Sequence, residues 1–337
     1  MRIALVTTVK DEAALLAANL RYHHWLGVER AWVFVDGSTD GTAETVAHLP
    51  FVELARSARP EAVPAEIRDA PRVRELIARR DGFHTLRQML DMAVAAHDAR
   101  RAGFDWIVGL DPDELIAPDP ARVEPGMLTE AVARIGPSVE SLQMMPLELI
   151  PRAETQEGLP FERARLFKNL FRAERGRLRP VHAFPRKATL PGVAQNWDCP
   201  PYLGQSGGKS LRRLSVDAFP KTVHRWRTPS GAPLRSAPVP WLHHYCNASF
   251  ESFRNRYRMR PTFPAVYPGG APVNDWDLAW YRMVHDPAVS EAEMRAYYAA
   301  NLIVADAEIA AWRAAAPDSV VEVTSIRNAF RSLSIAC

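Results

Sequence analysis

Asp111, Asp113 and Glu114 put three carboxylates within four residues, directly after the apolar run from Phe104 to Leu110. Two aspartates in Asp-X-Asp spacing offer hard oxygen ligands to a divalent cation, and such a cation can hold a diphosphate. The run before them is short and rich in aromatic and β-branched residues, so it reads as a buried strand. Pro112 lacks an N–H and fixes its own φ, which suits the end of a strand. The carboxylates then project from a strand's carboxyl end, the edge at which open α/β sheets bind ligands. The competing reading is a solvated turn or a helix N-cap, which acidic residues also favour.

Other loops must reach the same edge for a site to form. Ile3 to Val9 reads as a first strand that ends in Lys10-Asp11-Glu12. Leu15, Leu16, Leu20, Tyr22 and Leu26 predict a helix from about Glu12 to Leu26, stopped by Gly27. Ala31 to Val35 is a second strand, running into Asp36-Gly37-Ser38-Thr39-Asp40-Gly41. The possible N-caps in that turn predict a helix through about His48, and Phe51 to Leu54 is a short third strand. Leu86, Leu90, Ala93 and Val94 mark the buried stripe of a helix from Phe83 to Ala102, and this helix carries Gln88. The alternation predicts an α/β fold with a doubly wound, mostly parallel sheet, whose strand-end loops gather on one edge.

As an ordered set, these motifs resemble a known group. Strand–Lys10-Asp11-Glu12–helix, strand–Asp36 to Thr42–helix and strand–Asp111-Pro112-Asp113-Glu114 are similar to family 2-like and family 92-like glycosyltransferases of the GT-A fold. Tyr22-His23-His24-Trp25-Leu26-Gly27-Val28 also resembles that group's first helix, and the likeness covers roughly the first 120 residues. The resemblance implies a Rossmann-like, mostly parallel sheet and transfer from a nucleotide-diphosphate sugar, UDP-linked by analogy. It implies that Lys10, Glu12 and Asp36 lie around the nucleotide base and ribose and that Gln88 lies beside the donor pocket. Asp111 and Asp113 would hold Mn²⁺ or Mg²⁺ on the donor diphosphate. The Gly-Lys-Ser piece would bring Lys209 near the donor phosphates. The segment Trp241 to Phe253 resembles the group's later "His-Tyr" segment, which makes His244, rather than His243, a third metal ligand. An inverting enzyme of this kind needs a carboxylate to deprotonate the acceptor hydroxyl, and Asp198 and Glu148 are the candidates. Many relatives carry an acidic pair or Asn-Asn where this chain has Val35-Asp36-Gly37, which leaves the nucleotide open.

The second half is less patterned. Residues 56–82 are charged and proline-punctuated, with a short helix expected between Pro71 and Arg80. Leu128 to Ile135 reads as a helix and Glu140 to Leu149 as a strand. Between Arg163 and Lys187, nine basic residues face Glu174 as the one acid. That is either a solvated basic face or a surface for an anionic, lipid-linked acceptor, with peripheral contact to membrane phospholipid. Gly207-Gly208-Lys209-Ser210 is not a phosphate loop, because Gly204 is one residue too close for the first glycine. Asp275-Trp276-Asp277 with Trp280 and Tyr281 could stack on an acceptor sugar or pack at a domain edge. Ser290 and Glu293 form a capping box that predicts a helix to about Arg313. The organisation expected is a catalytic domain over 1–260, with a nucleotide-sugar half to about 120 and an acceptor half beyond, then a helical extension over 261–337.

Composition narrows the function classes. The chain has 337 residues, ordinary apolar and charged fractions and a net charge of +3, so a nucleic-acid partner is not expected. Its three cysteines lie far apart, without disulfide or zinc spacing, and no apolar run reaches membrane-spanning length. A cytoplasmic protein is expected, with peripheral attachment to the inner face of the membrane as an option. Two rival functions remain. One is a sugar- or lipid-binding protein that kept the fold without catalysis. The other is a haloacid-dehalogenase-type phosphatase, disfavoured because the motif comes late, Glu114 follows it and the chain has no Asp-Asp pair.

Overall fold

The computed structural model describes residues 1–57, 59–153, 158–174, 177–180, 207–260, 263 and 275–335. Asp198, much of the basic 163–187 stretch and most of 261–274 lie outside the described residues. The first half runs β1 (Ile3–Val9), α1 (Leu16–Leu26), β2 (Val28–Val35), β3 (Val52–Arg56), α2 (Ala65–Arg68), α3 (Pro71–Arg79), α4 (His84–Arg101), β4 (Trp106–Gly109) and β5 (Glu114–Ile116). Then come α5 (Met127–Ala133), β6 (Ser141–Leu149), α6 (Pro160–Arg163), β7 (Leu166–Asn169), β8 (Phe171–Glu174) and β9 (Arg177–Pro180). The chain continues through β10 (Lys209–Arg213), β11 (Phe219–Thr222), β12 (Arg225–Arg227) and β13 (Ser236–His244). It ends with α7 (Phe250–Arg258), α8 (Asp275–His285), α9 (Glu291–Asn301), α10 (Asp306–Ala315), β14 (Val320–Glu322) and α11 (Ser325–Ile335).

Among the described residues, ten strands form one sheet in the order β14-β7-β6-β10-β4-β1-β2-β3, with β13 pairing both β6 and β5. β3, β2, β1 and β4 are mutually parallel. β10 is antiparallel to both β4 and β6, so β4 and β6 point the same way, and β13 runs parallel to β6. The carboxyl ends of β1, β2, β4, β6 and β13 therefore share one edge. Central strands are apolar on both faces because helices cover both. Along β1, Ile3 and Leu5 pack with α1, while Ala4 and Val6 pack with Leu90 and Ala93 of α4. Phe330 of α11 stacks on Tyr22 of α1, so the last helix closes over the same core. No helix among the described residues is long and apolar enough to cross a membrane.

Three predicted helices differ. The first begins at Leu16, not Glu12, because residues 11–13 are stapled to the next loop. Thr39 N–H donates to the Asp11 carboxylate at 2.7 Å, Glu12 N–H to Thr42 Oγ1 at 2.8 Å, and Ala13 N–H to Asp40 Oδ2 at 3.0 Å. Asp11 sits at φ 53° to allow this. The stretch to His48 is a run of turns, with bonds alternating between three- and four-residue spacing. The helix expected over 290–313 is two helices, because Val304 N–H leaves the helical ladder to bond Pro151 O at 3.1 Å. β14, only three residues long, is too short to show a period and was not expected.

The two glycines before Lys209 have a packing reason. Gly208 has φ +58°, and a Cβ there would lie 2.1 Å from Met144 O on the neighbouring β6. At Gly207 a Cβ would lie 3.0 Å from the His224 ring. Gly208→Ala must push β10 off β6, and we expect a loss of at least about 2 kcal/mol in urea unfolding. An unchanged midpoint would mean that the two strands are not this close.

Candidate active site

β4 leaves the sheet at Gly109, and the Asp111-to-Glu114 turn closes on itself. Asp111 N–H donates to Glu114 Oε2 at 2.8 Å, and Glu114 N–H to Asp111 O at 3.0 Å. α1 fixes this turn from below. Asn19, 2% exposed, donates through Nδ2 to Pro112 O at 3.0 Å and to Glu114 O at 2.7 Å. His23 Nε2 accepts from Ile116 N–H at 3.2 Å. These contacts hold the two aspartates apart in role.

Asp111 is turned toward cations and donors of the protein. Lys209 Nζ, with 1% of its side chain exposed, reaches Asp111 Oδ2 at 2.8 Å and Glu114 Oε2 at 3.3 Å. Gln88 Nε2 donates to Asp111 Oδ1 at 2.7 Å. Burial pushes the Asp111 carboxyl up, but the Lys209 ammonium and these hydrogen bonds outweigh it and hold it below the usual range. Glu114 is more deeply buried, and desolvation lifts it to about 7 despite Lys209.

Asp113 faces the other way, toward β13 and α7. Its Oδ2 lies 3.5 Å from His244 Nε2 and 3.2 Å from Arg256 Nη1. Burial opposes its charge, yet His244 and Arg256 prevail and hold it well below the usual carboxylate range. His244 Nδ1 is 2.7 Å from Glu148 Oε1, and Glu148 is fully buried. Register explains the meeting, because His244 pairs with Glu148 across β6 and with Glu114 across β5. Burial disfavours the imidazolium, but the two carboxylates raise His244 well above its ordinary value. With Nδ1–H given to Glu148, Nε2 is directed at Asp113, the way a carboxylate behind the ring orients a metal-ligating histidine.

The donor chemistry fits a divalent cation. Ligand atoms of Asp113, His244 and Cys246 all lie within 4.8 Å of one another. Carboxylate and imidazole suit the divalent first-row metals, and a thiol adds affinity for softer ones. Glu12, at the end of β1, is also pushed up to about 8, first by burial and then by Asp113. A cation placed among these acids would relieve that repulsion.

The remaining expected residues are placed differently. Lys10 is exposed at the end of β1. Asp36 takes a two-pronged ion pair from Arg87, with both oxygens 2.9 Å from Nε, so its carboxylate is already engaged. Lys209 is likewise sealed between Asp111 and Glu114. Glu148 lies behind His244, bonded to it, where no acceptor reaches a fully buried carboxylate. His243, on the opposite face of β13, is fully buried beside Phe167. Arg256, Arg87, Asn19 and His23 were missed. Arg256 lies among Arg254, Arg258 and Arg260 with nothing in the sequence to separate it from them, Asn19 carried no motif, and His23 stood in the Tyr22-to-Val28 motif without an assigned role. Asp91 of α4 was also missed, although it accepts from the Thr8 and Ser57 hydroxyls at 2.8 and 2.9 Å and ties β1 to the end of β3.

His23 also makes the site acid-sensitive. It must keep a lone pair on Nε2 for Ile116 N–H, and burial lowers its pKa from 6.5 to about 4. The unfolded chain binds the proton near pH 6.5, whereas the folded chain resists until about 4. Stability is therefore full above pH 6.5 and falls as pH drops toward 4, by about 3 kcal/mol from this group. Urea midpoints at pH 7.5, 5.5 and 4.5 should fall less steeply in His23→Gln than in the unsubstituted protein. Equal slopes would contradict the buried neutral imidazole.

No family model matches the chain. Two glycosyltransferase-like proteins of Arabidopsis thaliana are each 24% identical to it, over 274 and 275 residues. The match takes in 77% of this chain and 58% and 51% of theirs, so the chain spans little more than half the length of these relatives. Among solved structures, S. aureus TarS residues 1–349 align with 100% of this chain and 92% of that chain, at 11% identity and a TM-score of 0.34. Glucosyl-3-phosphoglycerate synthase from Mycobacterium tuberculosis, in complex with Mn²⁺, UDP-glucose and phosphoglyceric acid, aligns with 43% of this chain and 44% of that chain, at 17% identity and a TM-score of 0.26. Superpositions this loose transfer no residue and no ligand. The chain is thus similar to proteins named glycosyltransferase-like, and its α/β sheet brings the ordered strand-end motifs to one edge.

Proposed function

We propose that this chain is a metal-dependent glycosyltransferase that moves a sugar from a nucleotide-diphosphate sugar, UDP-linked, to a hydroxyl acceptor on a glycan or a lipid-linked molecule. One observation carries the reading. Asp113 and His244 meet at 3.5 Å on the carboxyl edge of the sheet, and Glu148 fixes the imidazole from behind. Asp113 and His244 would hold Mn²⁺ or Mg²⁺, with Asp111 completing the acidic face. Bound there, the cation would balance the donor diphosphate and stabilise the charge that builds on it as it leaves.

The chain's own groups do the rest. Arg256 sits beside Asp113 and offers a permanent cation to the same phosphates. Lys209 keeps Asp111 ionised and fixed in place. Gln88 orients Asp111 through its second oxygen. Lys10, exposed at the end of β1, and the Asp36–Arg87 pair, at the end of β2, border the space for the nucleoside. In this reading Glu148 is a positioning residue for His244. Asp198, the other candidate for taking the acceptor's proton in an inverting transfer, lies outside the described residues.

The test is release of nucleoside diphosphate from UDP-glucose, UDP-galactose, UDP-N-acetylglucosamine and GDP-mannose, each with Mn²⁺ and with EDTA. One donor should be hydrolysed slowly, with Mn²⁺ only. Release from none of them would favour a binding protein that kept the fold.

A further inference from the structure

A cavity of about 780 Å³ opens at the same edge of the sheet, on the far side of the carboxylates from β1 and β2. Its walls come from the exit of β6, the α6–β7 connection, α10, β14 and Ala248. Four of its lining residues are Arg152, Arg163, Arg165 and Arg313, against Asp306 and Glu322. Arg152 is bonded to Asp306. Arg163, Arg165 and Arg313 have no ion-pair partner among the described residues. A concave wall with unspent guanidinium groups is suited to an anion, because the planar fork matches phosphate oxygens in pairs. The volume falls in the range of small-molecule pockets.

Position ties this cavity to the proposed chemistry. Leu149 and Ile150, which line it, directly follow Glu148, the residue that holds His244. At about 3.3 Å per strand residue, the cavity begins within about one or two residues' rise of that pair. From the other side it is bounded by Ala248, next to Asn247. Asn247 is 2% exposed, adopts φ 55°, and neither its amide oxygen nor its amide nitrogen has a partner among the described residues. A buried amide left without both hydrogen bonds is uncommon and costly, which marks this corner of the cavity wall as strained.

We propose that this arginine-lined cavity receives the acceptor, and that the acceptor carries a phosphate group. The inference rests on the transfer reading and deepens it. The guanidinium groups of Arg163 and Arg165 bind the phosphate and leave the acceptor's hydroxyl free to face the Asp113–His244 pair. The phosphate belongs either to a soluble sugar phosphate or to a lipid headgroup, and the chemistry at the arginines is the same.

The test is a calorimetric titration with glucose 6-phosphate and with glucose, alongside sedimentation with phosphatidylglycerol and phosphatidylcholine vesicles. It is run on the unsubstituted protein and on Arg163→Gln/Arg165→Gln. Both substituted side chains are exposed, and circular dichroism checks that the variant is folded. Glucose 6-phosphate should bind where glucose does not, and at least tenfold more weakly in the double variant. Binding to phosphatidylglycerol vesicles alone, lost in the variant, would support the same site with a lipid-borne phosphate. Equal behaviour of the charged and neutral probes, or of protein and variant, would overturn the proposal. UDP with Mn²⁺ is titrated separately into the unsubstituted protein. Sugar-phosphate binding without nucleotide binding would leave the cavity standing and remove the transfer reading.

Discussion

Asp113→Asn should weaken Mn²⁺-dependent nucleotide binding by about 100-fold or more, which is about 3 kcal/mol. The side chain keeps its shape, so the Asp111-to-Glu114 turn and its contact with Asn19 should survive. What changes is charge. Asp113 Oδ2 now balances His244 at 3.5 Å and Arg256 at 3.2 Å. A neutral amide leaves those two groups facing each other where a divalent cation is proposed to bind. Glu148→Gln should act in the same direction but less, because it replaces the charged acceptor of His244 Nδ1–H with a neutral amide that can also turn its NH₂ toward the ring. Loss of such an outer partner costs a metal site about 10- to 100-fold. Titration of the nucleotide with Mn²⁺ into each variant distinguishes the two sizes of effect. A larger loss from Glu148→Gln than from Asp113→Asn would contradict the assignment.

The second large effect is on stability. Lys209→Met should destabilise the fold by about 3 kcal/mol or more in denaturant unfolding at pH 7.5, because it strips the partner from two carboxylates at once. Glu114 has only 5% of its side chain exposed, and its pKa is lifted to about 7 even with Lys209 present. Without the ammonium, Glu114 should take up a proton, and Asp111 would keep only Gln88. The loss should be largely recovered by adding Glu114→Gln, which keeps the shape and removes the cost of protonating a buried carboxylate at pH 7.5. If Lys209→Met costs less than about 1 kcal/mol, the ammonium is not sealed between these carboxylates. If Glu114→Gln adds a second loss instead of a recovery, the charge argument fails. The effect separates a structural lysine from one that touches the donor, because it is measured without any ligand.

Much of the fold followed from periodicity and strand-end chemistry. The apolar runs ending at Val9, Val35 and Leu110 announced parallel strands, and the stripe of α4 announced its buried face. Legibility stopped where long-range contacts override local pattern. Residues 12 and 13 look helical, but side chains of the Asp36-to-Thr42 loop accept from their N–H groups. Val304 looks like helix interior, but it bonds Pro151, more than a hundred residues away. At the site, Asp111, Asp113 and His244 could be found because they carry a spacing. Their division of labour could not, since the pairing of Lys209 with Asp111 and of Arg256 with Asp113 depends on where β10 and α7 arrive. Asn19 acts through tertiary hydrogen bonds to the turn, which no local pattern marks, and the motif around His23 did not show that its ring would accept from Ile116 N–H. The arginines of the cavity come from three places in the chain, the exit of β6, the α6–β7 connection and α10, and only Arg163 and Arg165 stood in a visible basic stretch.

The measurement that bears most directly on the central claim is calorimetric titration of UDP into the unsubstituted protein, once with Mn²⁺ and once with EDTA. The account predicts saturable binding with Mn²⁺ that is lost in EDTA and lost in Asp113→Asn. Binding that is equal in Mn²⁺ and EDTA, or no binding of UDP or of any other nucleoside diphosphate, would contradict it.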